Sequence, residues 1–152
     1  MEQITQKEVN AYLAGRAELK ELLGFSPEYL QQLKGRTQFF LDGGHKERAL
    51  MMLEMIEALD RKDTLATLLA VEILLQLGRS DAAEEKVNAL LQRRPDDPDG
   101  LVALAQLKIA IGELVPAAQT LKKVIDQDQQ AKTPAGRRAR LVAARARAQL
   151  QS

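Results

Sequence analysis

Three glycines, Gly44, Gly78 and Gly112, stand 34 residues apart. Ala49, Ala83 and Ala117 repeat that interval, as do Leu53, Val87 and Leu121, then Ile56, Leu90 and Val124. A chain that repeats itself at this distance builds one supersecondary unit several times over. Each position has a physical reason. The glycine tolerates a positive φ where one helix ends and the chain turns sharply. The alanine lies where two helices cross closely and a larger side chain would push them apart. The apolar positions face a neighbouring unit, because one helix pair cannot bury its own apolar face.

Helix-start chemistry agrees with that register. Ser26-Pro27, Asp97-Pro98 and Thr133-Pro134 each place a capping side chain before a proline at the first helical position. Asp63 is expected to cap the second unit and Ser80 its second helix. Pro95 ends that helix, and Pro116 falls in a first turn, where proline is tolerated. Period-two runs and Asn-Gly hairpins are absent, so strands are not expected. The reading is all-α: an N-terminal helical segment at about 5–23, helix pairs at 27–60, 63–94 and 97–128, and a closing helix at 134–150.

An antiparallel helix pair every 34 residues resembles the tetratricopeptide repeat. The resemblance implies a single domain over 1–152, a right-handed superhelix of antiparallel helix pairs. It would consist of an N-terminal segment (1–25), three repeats (27–128) and a C-terminal capping helix (133–152). The large aromatics of the repeat are mostly replaced. Leu33, Thr67 and Leu101 occupy the usual Trp column, and Phe40, Leu74 and Lys108 the Tyr column.

Composition narrows the function. The 152 residues are 45% apolar and 28% charged, with a formal net charge of +1. No global field therefore points to nucleic acid or to an anionic membrane. Cysteine is absent, which excludes disulfides and thiolate metal sites and is compatible with a reducing cytosol. The first residues show neither a basic n-region nor an apolar h-region, so a secretory signal is not expected, and no apolar stretch approaches a membrane span. Trp is absent and aromatics are 3%, so the core must be built from Leu, Ile, Val, Ala and Met.

Stacked helix pairs form a concave side lined by the first helix of each unit. Helical spacing assigns to it Lys34, Gln38 and Leu41 in the first unit, Leu65, Leu68, Glu72 and Leu75 in the second, and Val102, Gln106 and Ile109 in the third. The second unit is the informative one, because 64–75 is apolar nearly all round and must be covered on most sides. Leu65, Leu68 and Leu75 are expected to form an exposed strip for a protein partner. The alternative is that the N-terminal segment or the closing helix folds back over them.

The lead-in residues Leu19, Leu22, Phe25, Ser26, Leu30 and Leu33 precede Gly44-His45-Lys46-Glu47-Arg48-Ala49, and the unit closes with Leu59-Asp60. That spacing, over about 19–127, resembles the class II chaperones of bacterial type III secretion, the SycD/LcrH type. The resemblance implies a cytoplasmic, non-catalytic protein that holds an apolar segment of a secreted or export-apparatus protein in its groove. It also implies a homodimer through the N-terminal helix. That family lines the groove of its first repeat with aromatics, whereas Lys34, Gln38 and Leu41 stand here. An extended and a helical ligand both remain open.

Catalytic, cofactor and metal signatures are missing. His45 is the sole histidine and sits in a turn. Gly43-Gly44 terminates a helix and is no phosphate loop. Glu84-Glu85 reads as a solvated face, and Asp96, Asp97 and Asp99 gather near a helix N-terminus, where negative charge is favourable. The tail is the one charge asymmetry. No acidic residue follows Asp128, while Lys132, Arg137, Arg138, Arg140, Arg145 and Arg147 do. Ala139, Val142, Ala143, Ala146 and Leu150 fall at helical spacing among them, which reads as a capping helix with a basic outer face; the alternative is a contact for an acidic partner. A scaffold in another bacterial assembly, and a basic-tailed nucleic-acid accessory protein, are the competing functions. No aromatics interleave the basic residues, which counts against base stacking.

Overall fold

The computed structural model describes residues 3–152, so Met1 and Glu2, at the start of the expected 1–25 segment, lie outside it. Among the described residues the chain forms nine α-helices and no strand. They divide into two compact units, Met1–Ala66 and Thr67–Ser152.

The first unit holds α1 (Gln6–Leu13), α2 (Leu19–Leu22), α3 (Pro27–Asp42) and α4 (Lys46–Leu59). A capping box opens α1: Glu8 N donates to Thr5 Oγ1 at 3.3 Å, and Thr5 N donates to the Glu8 carboxylate at 2.7 Å. The helical segment expected at 5–23 is broken rather than continuous. Gly15, at φ +71°, ends α1, while Gly15 N donates to Tyr12 O and Arg16 N to Ala11 O. Glu18 then restarts the chain as the N-cap of α2.

The Glu18 carboxylate also accepts from Arg61 N at 3.1 Å and Arg61 Nε at 3.2 Å, which ties the lead-in to the loop after α4. Burial works against the Glu18 charge, but the hydrogen bonds and positive charge of Arg61 outweigh it and hold the carboxyl below its ordinary range. The Arg61 guanidinium lies 5.4 Å from the centre of the Tyr12 ring.

Ser26 opens α3, its Oγ accepting from Tyr29 N at 3.2 Å, with Pro27 in the first turn and Phe25 stacked on Tyr29 at 4.8 Å. The pair α3–α4 buries Leu30, Leu33 and Thr37 against Ala49, Leu50, Leu53, Ile56 and Leu59. Between them Gly44 takes φ +75° and His45 N donates to Phe40 O, which closes the turn. Ala49 has no exposed surface, as a close crossing requires.

The second unit carries α5 (Thr64–Gln76), which starts three residues before the division, then α6 (Ser80–Arg93), α7 (Pro98–Ala110), α8 (Leu114–Gln127) and α9 (Pro134–Gln151). Gly78 at φ +73° and Gly112 at φ +85° repeat the turn, with Arg79 N donating to Leu74 O and Glu113 N to Lys108 O. Ala83 and Ala117 are buried like Ala49. Asp63, Asp97 and Thr133 cap as expected, accepting from Ala66 N, Gly100 N and Gly136 N. Ser80 does not cap. It is the first residue of α6, because the left-handed turn at Gly78 leaves only Arg79 between turn and helix, and Arg79 makes no side-chain cap.

A clasp joins α8 to α9. The Asp128 carboxylate accepts from Lys132 N at 2.9 Å, from Thr133 N at 2.8 Å and from Thr133 Oγ1 at 2.7 Å. Arg140 Nη2 adds a 2.7 Å bond to Asp128 O. With the clasp set, α9 buries Ala135, Gly136, Ala139 and Val142.

Two outcomes follow from the clasp. Helical glycine-to-alanine changes ordinarily stabilise, but a Cβ at Gly136 would sit 2.1 Å from Asp128 Oδ2. Gly136→Ala is therefore expected to cost about 1 to 2 kcal/mol in urea unfolding, and most of that cost should vanish when Asp128→Ala is added. The side-chain bond from Thr133 and then its backbone N–H depress the Asp128 carboxyl below its usual range. A depressed carboxyl contributes stability above its unfolded pKa and loses it as the pH falls through the folded value. The melting temperature should thus drop on acidification below about pH 4, and less steeply in Asp128→Asn.

Candidate partner-binding face

The residues assigned to a partner face share one register. Lys34, Leu68 and Val102 are separated by 34 residues, as are Gln38, Glu72 and Gln106, and Leu41, Leu75 and Ile109. They come from the first helix of each pair: α3, α5 and α7.

The first of these columns presents no apolar surface. Leu68 and Val102 are 0% exposed, so both belong to the core, and the expected strip loses its central member. The cause is the composition of α5. Ala66, Thr67, Ala70, Val71, Ile73 and Leu74 are also buried, so the helix is enclosed on most of its circumference. Lys34 is exposed but paired, its Nζ 2.9 Å from the Asp63 carboxylate. Leu65 keeps partial exposure at the start of α5.

The other two columns keep surface. Leu41, Leu75 and Ile109 are each half-buried. In the second unit Gln106 Nε2 donates to the Glu72 carboxylate at 2.6 Å, which links α7 to α5 one repeat apart. Gln106 Oε1 is buried without a donor, a cost of about 1 to 3 kcal/mol for a neutral group. In the first unit Gln38 is exposed and donates to Asp42 at 2.7 Å, so it is satisfied within its own helix. The structure therefore brings Glu72 and Gln106 together, with Leu75 and Ile109 one turn further along their helices. The signal for this pairing in the sequence is the 34-residue offset of the two polar residues.

The replaced aromatic columns are accounted for. Leu33, Thr67 and Leu101 are all buried where the repeat usually has Trp. Leu74 is buried, and Lys108 instead reaches Glu113 across the Gly112 turn at 3.0 Å. Among the described residues no group of three or more His, Cys, Asp or Glu could hold a metal ion, and no helix is long and apolar enough to cross a membrane. His45 is exposed and lies edge-on to Phe40 at 6.4 Å.

Paired helices, left-handed glycine turns and a buried small residue at each crossing define a helical-repeat protein. A tetratricopeptide-repeat family model matches residues 74–150 and a second matches residues 40–98, so the chain belongs to the tetratricopeptide-repeat family. No curated protein matches it in sequence. Among solved structures it is similar to a type III secretion complex from Aeromonas hydrophila, with a TM-score of 0.68, 18% identity, and coverage of 96% of this chain and 99% of that one. It is equally similar to the type III secretion translocator chaperone SycD of Yersinia enterocolitica, with a TM-score of 0.68, 20% identity and coverage of 89% and 97%. A third likeness is the first TPR of Spaghetti (RPAP3) bound to an HSP90 peptide, with a TM-score of 0.59, 12% identity and coverage of 84% and 97%. At these identities the likeness is one of fold.

The core and surface assignments differ in consequence. Leu68→Ala should cost about 2 to 5 kcal/mol in chemical denaturation, the range for a fully buried leucine. Leu75→Ser, at a half-buried site, should cost about 1 kcal/mol or less.

Proposed function

We propose that the protein is a non-catalytic chaperone of the type III secretion kind, holding an apolar segment of a secreted or export-apparatus protein. The observation that carries the reading is the α5–α7 face of the second unit. There Leu75 and Ile109 offer half-buried apolar surface beside the Glu72–Gln106 pair. Apolar neighbours give a ligand area to bury, and the polar pair fixes its position by hydrogen bonding. The shared fold with SycD, a translocator chaperone, supports the secretion context. Residence in the cytoplasm belongs to the same proposal.

The mechanism is physical. An aggregation-prone segment exchanges water for this face and gains roughly 25 cal/mol per Å² of apolar area covered. Only the surplus over lost freedom and imperfect polar pairing appears as affinity. A partner disordered when free gives up part of that gain in folding. In the first unit Ile4, Leu13 and Leu23 are exposed apolar residues of the lead-in, and they support a homodimer contact there as part of this reading. A general scaffold in another assembly would use the same face without releasing its partner for export. Nucleic-acid binding has little support, because Arg137, Arg138 and Arg140 are engaged with carbonyl groups and Asp99 inside the second unit.

Co-expression with candidate substrates from the native secretion locus tests the reading. Leu75→Asp and Ile109→Asp should each reduce co-purification about tenfold or more while circular dichroism shows an intact helical fold. A complex that survives both substitutions would remove this face as the binding site.

A further inference from the structure

The two last helices leave an apolar trough open in the second unit. Leu114, Leu121 and Ile125 of α8 form one wall, and Ala143, Ala146 and Leu150 of α9 the other. The inner half of α9 is sealed through Ala139 and Val142, and the trough begins where that seal stops. It offers about 330 Å³, which is room for several aliphatic side chains. Leu150 remains 68% exposed beside it. Of the α5–α7 face, only Ile109 also lines it.

The chemistry of the walls selects the shape of an occupant. Both walls are helices whose backbone groups are already bonded internally. An extended segment laid between them would bury N–H and C=O groups without partners. A helix satisfies its own backbone and brings only side chains. The wall from Leu114 to Ile125 runs about 17 Å, which matches roughly three helical turns.

The rim selects the charge. Arg147 stands at the edge of the trough beside Lys122, whose ammonium is paired with Asp126 at 2.6 Å on the same helix. No acidic residue follows Asp128 in the sequence. Arg138 has Asp99 as an ionic partner at 3.7 Å, whereas Arg145 and Arg147 have no acidic partner among the described residues. From the apolar stripes of α8 and α9 and the unpaired Arg147 at their edge, we propose that the trough binds one amphipathic helix of a partner protein, its apolar stripe flanked by Asp or Glu. This is helix-in-groove recognition with an electrostatic selection of register, at a place separate from the Glu72–Gln106 pair.

Two synthetic fluorescein-labelled peptides of about 14 residues test the idea, sharing one leucine stripe and differing in Glu or Lys flanks. Fluorescence anisotropy against the full chain at low salt should show the Glu-flanked peptide binding about tenfold more tightly or better than its Lys-flanked twin. Leu150→Asp, at an exposed position that spares the fold, should weaken that binding about tenfold, and Ala146→Trp, which fills the trough, should do the same. Arg147→Glu should narrow or reverse the preference between the peptides, and Leu75→Asp should leave it unchanged, which separates this site from the α5–α7 face. Equal binding of the two peptides, no binding of the Glu-flanked one at about millimolar concentration, or indifference to both Leu150→Asp and Ala146→Trp would overturn the proposal. Sedimentation showing a dimer of the chain alone that Leu150→Asp dissolves would overturn it too, by giving the trough to a second copy.

Discussion

Everything in this structure depends on how closely two helices of a pair can approach. At Ala49, Ala83 and Ala117 the side chain is no larger than a methyl group and is almost wholly buried, so the helix axes come together there. The glycine five residues earlier supplies the left-handed turn that aims the second helix back along the first. Close approach then sets the depth at which Leu53, Val87 and Leu121 are buried in their own units. A larger residue at any of the three alanines would separate the pair and misplace the apolar side chains beyond it. With so few aromatics available, this small-residue contact does what bulky side chains do in many other cores.

The repeat was legible because its determinants are local. A positive-φ turn, a cap and a buried alanine each leave a mark at one position, and the 34-residue interval multiplies the mark. The break between α1 and α2 was less visible, although Gly15 holds the same left-handed conformation as the repeat glycines. It has no periodic counterpart to expose it, and the helix that follows is anchored by Glu18 to Arg61, 43 residues away. A contact between residues so distant in the chain leaves no pattern in a single sequence. The Asp128 clasp sits between these cases: its partners are near in sequence, but nothing in residues 128–133 names the acceptor.

Which of the residues assigned to the concave side keep open surface was legible in part, and the limit is physical. Amphipathic helices show their outer face by alternating apolar and polar positions, but α5 is apolar almost throughout and gives no such signal. Leu68 and Leu75 were therefore indistinguishable in the sequence, and only packing separates the first, fully enclosed, from the second, partly open. Glu72 is the one charged residue on that helix, and Gln106 occupies the same place one repeat later. Their hydrogen bond gives the open side a direction that the leucines could not.

The distribution of aromatic rings has a further consequence. Both tyrosines and all three phenylalanines lie in the first unit, where Tyr12 meets Arg61 and Tyr29 meets Phe25. The second unit, which holds both the α5–α7 face and the trough between α8 and α9, contains no Phe, Tyr or Trp. Near-ultraviolet absorbance and intrinsic emission thus arise from one half of the molecule, and the other half is optically silent. A bound segment carrying a tryptophan would be the sole indole in the complex, reporting its own surroundings against a dark background.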